Sequence, residues 1–197
     1  MTPAARPAAR WAGPRFARCR YGERMPVRHS HCSFCGDAFA PDQPWPRQCA
    51  GCARFTYLNP TPVAVAVLPV GGGLLGVRRS IPPGVGEVAL PGGFVDIGES
   101  WQEALVRELW EETGVRADPA DVRLYDTLSA PDGHLLVFGL LPARDLAELP
   151  PSVANDESAG WEVVTAATPL AFSLHTAVAE RYFTSGAGGP ADRQTAA

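Results

Sequence analysis

The chain has 197 residues, of which 46% are hydrophobic, so it can form one ordinary folded domain and a small accessory module. Its net charge is −4, but residues 1–28 carry seven Arg and one Glu, so the rest carries 10 Arg and 20 acids, a sum of −10. An acidic body argues against general nucleic-acid affinity. The longest apolar stretch, residues 63–77, is interrupted by proline and glycines, which argues against a membrane span.

Four segments differ in composition along the chain. We expect a disordered leader over residues 1–28, a cysteine module over 29–58, a mixed α/β body over 59–185 and a disordered tail over 186–197. The leader has no continuous hydrophobic segment of a secretory signal, so we expect a cytoplasmic protein. Its Arg- and Ala-rich composition also resembles a mitochondrial transit peptide, and translation from Met25 is a further alternative.

Four cysteines form two CxxC pairs, Cys32 with Cys35 and Cys49 with Cys52, and thirteen residues separate the pairs. This spacing predicts one tetrahedral, structural Zn²⁺ site, whose metal would supply on the order of 10 kcal/mol of folding free energy. A disulfide framework and a redox CxxC are the alternatives. The first needs an oxidising compartment and the second does not need two copies. Cys19 lies outside this pattern.

The body begins with two apolar segments. Residues 63–68 form an unbroken apolar run, which predicts a buried strand, and residues 74–77 follow a glycine turn as its predicted hairpin partner. Prolines and glycines in residues 82–86 then predict a loop.

A helix is predicted over residues 100–113, because Ser100 and Glu103 form a capping box and a glycine follows the last residue. Residues 135–141 predict a further strand, and residues 170–183 predict a final helix. Strands and helices in this order predict an α/β sandwich.

Three carboxylates share one face of the first predicted helix. Glu108, Glu111 and Glu112 have the spacing i, i+3, i+4 and fall within an arc of about 100°. A solvated acidic face is the alternative interpretation. However, Glu108 and Glu112 continue the apolar stripe of the helix, and Glu111 lies at its margin. Carboxylates that point inward without a basic partner for each indicate a metal site or a functional cavity.

The segment from Gly93 to Val115 resembles the 23-residue Nudix box at every defining position: Gly, five residues, Glu, seven residues, then Arg-Glu-apolar-any-Glu-Glu-any-Gly-apolar. The resemblance implies an α/β/α sandwich with a mixed sheet, here preceded by a small zinc ribbon. It also implies a hydrolase that uses Mg²⁺ or Mn²⁺ to split the pyrophosphate of a nucleotide-linked substrate.

The resemblance further implies roles for single residues. The implied metal ligands are Glu99 as an outer ligand, Glu108, Glu111, Glu112 and the Gly92 carbonyl. Glu108 would be a ligand or the general base, and Arg107 would orient the glutamates. Glu157 would be an additional catalytic or metal-binding glutamate, although an ordinary acidic loop is the alternative. Arg78 and Arg79 would contact phosphate, the alternative being surface charge.

A zinc ribbon ahead of a Nudix box resembles NADH pyrophosphatases and a looser group that includes ADP-ribose and flavin dinucleotide hydrolases. The first group has a Ser-Gln-Pro-Trp-Pro-Phe-Pro signature downstream of the box. Residues 43–46 are similar to it but lie upstream. Pro131, sixteen residues after Val115, resembles a substrate-binding proline of ADP-ribose hydrolases. We therefore favour ADP-ribose or a related dinucleotide such as FAD, and keep NADH and RNA caps as alternatives.

The expected partner is a small nucleotide, without a membrane and without a long nucleic acid. Dimers are common in the family, so a homodimer is compatible with the resemblance. A function of another class, a zinc-ribbon adaptor on a non-catalytic Nudix scaffold, is hard to reconcile with an intact set of box glutamates.

Overall fold

The computed structural model describes residues 28–185, which form two compact units that meet in sequence between Leu58 and Asn59. The first unit contains a two-stranded antiparallel sheet of β1 (Arg47–Gln48) and β2 (Phe55–Thr56). Cys19, the tail and all of the leader except its last residue lie outside the described residues. No helix in the described part of the chain combines the length and apolar character needed to cross a membrane.

The second unit alternates strands and helices. Its elements are β3 (Thr61–Val67), β4 (Pro69–Val70), β5 (Gly73–Arg79), β6 (Val88–Ala89), β7 (Gly92–Phe94), α1 (Trp101–Thr113), β8 (Arg123–Ser129), β9 (His134–Leu140), β10 (Ser158–Val164) and α2 (Ser173–Thr184). Helix α1 and strand β9 lie where the sequence predicts them. Helix α2 begins later than expected, because Phe172 has extended backbone angles and forms its N-cap.

Two sheets organise these strands. The first has the order β7-β3-β9-β8, in which β3 and β9 are parallel and the other pairs are antiparallel. In the second, β5 pairs with β10, β4 and β6, always antiparallel. The first sheet is therefore mixed, as predicted for this fold class.

Strand β3 is buried on both faces, which explains its unbroken apolar sequence. Ala64 belongs to the hydrophobic cluster that contains Leu105 of α1, whereas Val65 belongs to the cluster that contains Val178 of α2. This alternation continues along the strand because successive side chains point to opposite faces. The helices thus cover opposite sides of the sheet, and the predicted α/β/α sandwich is confirmed.

The predicted hairpin between residues 63–68 and 74–77 is wrong. The neighbours of β3 are β7 and β9, while residues 74–77 lie in β5 of the other sheet. Pro69 begins the two-residue strand β4, and the glycine turn joins β4 to β5. Apolar runs identify the two strands but not their pairing, since a strand buried on both faces carries no alternation that would fix its partner.

Candidate active site

Helix α1 is fixed at both ends by local interactions. The Ser100 hydroxyl accepts the backbone N–H of Glu103 at 3.2 Å, and the Glu103 carboxylate accepts the backbone N–H of Ser100 at 2.6 Å. Gly114 ends the helix in the left-handed conformation, with φ of 74°. These caps fix where α1 begins and ends, and the apolar side of the helix, with Leu105 and Leu109, is fully buried.

Glu112 continues the buried side of α1 and is only 8% exposed. One of its carboxylate oxygens accepts the backbone N–H of Gly92 in β7 at 2.9 Å. Burial raises the pKa of Glu112 to about 8, the Gly92 N–H opposes the shift, and the nearby Glu108 and Glu157 add to it. Among the described residues, no guanidinium donates a hydrogen bond to Glu112, so a cation is the natural means of stabilising its charged form.

Glu108 lies one turn earlier and packs directly against β7. A Cβ atom at Gly93 would lie 2.4 Å from the carboxyl carbon of Glu108, so any larger residue there would displace this carboxylate. Burial raises the pKa of Glu108, and the hydrogen-bonded Arg107 guanidinium works in the opposite direction. The glycine at the start of the box thus creates the space that the first glutamate of the helix occupies.

Arg107 connects the acidic residues of the box. Its Nη1 donates to Glu108 at 2.7 Å and to Glu111 at 3.1 Å. Its Nε and Nη2 bind the two oxygens of Glu99 at 3.1 and 2.8 Å, and Nη2 also donates to the Phe94 carbonyl at 2.9 Å. These bonds lower the pKa of Glu99 and raise that of Arg107. This geometry is what the predicted orienting role of Arg107 requires.

The side chains of Arg107, Glu108, Glu111 and Glu112 line one open cleft of about 600 Å³, whereas Glu99 is not among its lining residues. Its acidic lining residues are Asp96, Glu108, Glu111, Glu112, Asp156 and Glu157. Arg79 and Arg107 are its basic lining residues, so two positive and six negative groups give a formal sum of −4. Carboxylate and carbonyl oxygens are the ligands that Mg²⁺ and Mn²⁺ prefer. The donor atoms and the excess of negative charge therefore fit divalent cations.

Arg79 and Glu157 reach the cleft from other elements. The guanidinium of Arg79 lies 5.0 Å from the centre of the Phe172 ring, and its Nε donates to the Pro83 carbonyl at 2.7 Å. Glu157 lies directly before β10, and its backbone carbonyl accepts the N–H of Ser80 at 2.8 Å. Both residues line the cleft together with the box glutamates.

The first unit contains its own candidate metal centre. The sulfurs of Cys32, Cys35, Cys49 and Cys52 all lie within 4.8 Å of one another, and the closest pairs are 3.5 and 3.7 Å apart. Four thiolates around a tetrahedral zinc ion have sulfurs about 3.8 Å apart, whereas a disulfide needs about 2 Å. Backbone N–H groups, led by that of Cys35, lower the pKa of Cys32 to about 6. The four thiols can hold one metal ion.

The cysteines are the tightest such group in residues 28–185, because no other three candidate ligands meet that spacing. The cleft carboxylates are arranged more widely, around the Gly92 N–H and the Arg107 guanidinium.

A family comparison agrees with this geometry. Residues 60–183, more than half of the chain, match the model of the NUDIX domain. The chain belongs to the Nudix family. The matched range contains every residue that lines the acidic cleft.

Curated Nudix relatives differ in their named activity. The chain is similar to the NAD-capped RNA hydrolase NudC of Chromobacterium violaceum, with 32% identity over 68% of this chain and 50% of the relative. It is also similar to the ADP-ribose pyrophosphatase of Methanocaldococcus jannaschii, with 38% identity over 41% of this chain and 48% of the relative. The chain thus spans about half the length of these relatives. A Nudix hydrolase structure from Nitrosomonas europaea superposes with a TM-score of 0.62 at 23% identity, covering 79% of this chain and 91% of that one, and so supports the fold.

Two predicted substrate contacts are not among the residues that line the Nudix cleft. Arg78 and Arg79 are successive residues of β5, so their side chains point to opposite faces of the sheet. The Nη2 of Arg78 donates to both carboxylate oxygens of Glu162 at 2.8 and 2.7 Å. Pro131 lies in the turn between β8 and β9. A substrate contact by Arg78 or Pro131 therefore stays a prediction.

Sequence reasoning did not single out several residues that line the cleft, among them Phe94, Asp96 and Asn155. Phe94 and Asp96 lie between the first glycine and first glutamate of the box, where the motif leaves the residue type free. Asn155 lies 44 residues from Glu111, to whose carbonyl it donates a hydrogen bond at 2.8 Å. The signal for Asn155 would have been its position before a strand, but β10 itself was not predicted.

Proposed function

We propose that this Nudix protein hydrolyses the pyrophosphate of a nucleoside diphosphate linked to another moiety, with ADP-ribose or a related dinucleotide such as FAD as its preferred substrate. The observation that carries the proposal is the convergence of Glu108, Glu111 and Glu112 with the Gly92 backbone on one cleft. A volume of about 600 Å³ suits a ligand of nucleotide size.

We assign Mg²⁺ or Mn²⁺ to the carboxylates of this cleft. Glu111 and Glu112 would be the principal ligands, with Glu108 and the Gly92 carbonyl completing the set. Glu99 would act as an outer ligand, since both of its oxygens already bind Arg107. When bound, such cations neutralise the diphosphate oxygens and acidify water near phosphorus.

Three residues of the chain would orient the catalytic groups, bind phosphate and accept a proton. Arg107 fixes Glu108 through one guanidinium nitrogen and so limits the positions its carboxylate can adopt. Arg79 supplies positive charge for a phosphate oxygen, and its stacking on Phe172 keeps that charge in place. Glu157 approaches from the loop before β10, and in this proposal it is the general base that accepts the proton of the attacking water.

The four cysteines of the first unit would hold a structural Zn²⁺. Their sulfur spacing of 3.5 to 3.7 Å in the two closest pairs suits a closed tetrahedral site without an open position for substrate. The zinc would therefore stabilise the ribbon, and the chemistry would remain with the box.

A second candidate substrate is NADH or NAD-capped RNA. The relatives named NAD-capped RNA hydrolase favour it, since one of them matches 68% of this chain. The absence of the Ser-Gln-Pro-Trp-Pro-Phe-Pro signature downstream of the box and the acidic body weigh against it. A non-catalytic scaffold is disfavoured because all three box glutamates line the cleft.

A substrate panel tests the proposal directly. Purified protein would be incubated with ADP-ribose, FAD, NADH or NAD-capped RNA, each with Mg²⁺, with Mn²⁺ and with EDTA, and the products identified by mass spectrometry. We expect metal-dependent cleavage with the highest kcat/KM for ADP-ribose. A preference for NADH or capped RNA would support the second candidate, and no cleavage of any pyrophosphate would support the non-catalytic scaffold.

A further inference from the structure

The loop that precedes β10 carries Asp156 and Glu157 into the cleft. Asn155 comes immediately before them, and both ends of its side-chain amide are hydrogen-bonded. Its Oδ1 accepts the backbone N–H groups of Glu157 and Ser158 at 3.0 and 2.7 Å. Its Nδ2 donates to the backbone carbonyl of Glu111 at 2.8 Å. One planar amide therefore joins this loop to the last turn of α1.

The acceptor end of the Asn155 amide shapes the loop itself. An oxygen that receives N–H groups two and three residues ahead closes a local turn, as Asn and Asp side chains commonly do. The backbone N–H of Asn155 also donates to the carbonyl of Ser158 at 2.7 Å. An aspartate at this position would keep these local bonds, because its carboxylate offers the same acceptor oxygen.

The donor end has a different effect, which an aspartate would lose. Across residues 28–185, the bond from Nδ2 to the Glu111 carbonyl is the one hydrogen bond between this loop and α1. The last carbonyls of a helix have no partner within the helix, so this bond also satisfies a terminal acceptor. It fixes the loop against the turn of α1 that carries Glu111 and Glu112.

We propose that Asn155 is a positioning residue, which holds Glu157 opposite the box glutamates through its hydrogen bond to the Glu111 carbonyl. The inference rests on the proposed hydrolysis and on the role assigned there to Glu157. Asn155 acts through Glu157, not on the substrate. The effect on rate can be large because a displacement of about 1 Å at a reacting group can cost about 100-fold.

Two variants distinguish the acceptor oxygen of the Asn155 amide from its donor nitrogen. Asn155→Asp keeps the acceptor and loses the donor, whereas Asn155→Ala loses both. Val153→Asp is the matched control, because it adds the same charge two residues away on a residue that is 68% exposed. We expect kcat to fall about tenfold or more in both Asn155 variants, with KM nearly unchanged. Wild-type kcat in Asn155→Asp, measured on protein with an unchanged Tm, would overturn the proposal.

A double-mutant cycle tests whether Asn155 acts through Glu157. Glu157→Gln alone should lower kcat, and Asn155→Ala added to it should lower kcat by less than about twofold more. If Asn155→Ala reduces kcat by the same factor in both backgrounds, Asn155 does not act through Glu157. Wild-type kcat in Glu157→Gln would likewise overturn the inference, since there would be no catalytic group to position.

Hydrogen–deuterium exchange gives a measurement that does not depend on turnover. We expect the amides of residues 153–158 to exchange faster in Asn155→Asp than in Val153→Asp, because only the first variant detaches the loop from α1. Equal exchange in the two variants would overturn the inference whatever the activity. If the wild type cleaves no pyrophosphate, the proposed function fails, and the exchange difference still reports whether the bond fixes the loop.

Discussion

The Glu112 carboxylate and the Gly92 backbone N–H form a hydrogen bond of 2.9 Å that joins the last turn of α1 to β7. The next glycine, Gly93, packs against Glu108 of the same helix. Two consecutive glycines thus face different neighbours, because a Cβ at Gly92 would lie 2.3 Å from the backbone oxygen of Ala64. Gly92, just before the box, thus packs closely on β3, whereas Gly93, its first residue, leaves room for a glutamate.

Alanine at these two glycines should separate stability from activity. In Gly92→Ala the new methyl meets the backbone of β3, which cannot move easily, so we expect a loss of about 1 to 3 kcal/mol in the free energy of unfolding. In Gly93→Ala the methyl meets a side-chain carboxylate, so we expect a smaller stability loss and a large fall in kcat. Tm and kcat of both variants would be compared. A Gly93→Ala enzyme with full activity would contradict the tight approach of Glu108.

Two neighbouring arginines on β5 allow a matched comparison that tests which of them binds the substrate. Arg79 lines the cleft, whereas Arg78 is paired with Glu162 elsewhere. We expect Arg79→Gln to lower kcat/KM by about tenfold or more, because one charged hydrogen bond to phosphate is lost. Arg78→Gln breaks an exposed ion pair and should leave the kinetics nearly unchanged. Equal effects of the two changes on kcat/KM would argue against a phosphate contact by Arg79.

The cysteine cluster predicts one zinc ion per chain. Replacing Cys32 by Ser removes a thiolate from the four-sulfur group, so elemental analysis should find zinc lost, and the ribbon should unfold locally. The box chemistry should suffer only indirectly. Cys19→Ser is the control, since the predicted ligand set does not include Cys19. Purified wild-type protein with a folded ribbon and no metal would refute the zinc site.

Buried His175 predicts a specific pH dependence of stability. Its Nδ1 accepts the backbone N–H of Leu90 at 3.2 Å, and its ring centre lies 5.6 Å from that of Phe138 and 5.0 Å from that of Phe172. Burial, with a smaller contribution from Arg79, lowers the pKa of His175 from 6.5 to about 3. Between these values the unfolded chain binds a proton that the native imidazole does not. Stability is therefore complete above pH 6.5 and falls as the pH decreases towards 3.

The expected loss from this one histidine is about 2 kcal/mol between pH 7 and pH 5. Urea unfolding at several pH values would measure it, with His175→Gln as the variant that cannot titrate and exposed His31→Gln as the control. The wild type and His31→Gln should lose stability in parallel on acidification, and His175→Gln should lose about 2 kcal/mol less. Identical slopes in all three proteins would contradict a buried neutral His175.

The sequence was most informative for α1, where capping residues and the Nudix box lie in the same segment. Ser100, Glu103 and Gly114 define α1 through hydrogen bonds between near neighbours, so its bounds could be predicted. The helical wheel then identified Glu112 as inward-facing, because a regular helix converts sequence spacing into direction. Strand pairing could not be predicted in this way, since β3 finds its parallel partner β9 about 70 residues later.

The parts of the site outside the box depend on that tertiary pairing. Arg78 and Arg79 could not be distinguished in the sequence. Successive side chains of β5 point to opposite faces of the sheet, so only Arg79 reaches the cleft. Asn155 was invisible for the same reason, because its partner on α1 is 44 residues away. Glu157 was suggested by the resemblance alone, and its position in the cleft follows from the pairing of β10 with β5.

The most direct test of the central claim is the metal-dependent kcat of Glu112→Gln, measured on the substrate that the wild type cleaves best. The variant keeps the volume of a buried side chain and removes one charge from the proposed cation site. We expect kcat to fall by about two orders of magnitude or more, as in Glu111→Gln, while Tm in EDTA stays equal or rises. Glu162→Gln, outside the cleft, should keep its kcat. Unchanged turnover in Glu112→Gln would contradict the assignment of this helix to catalysis.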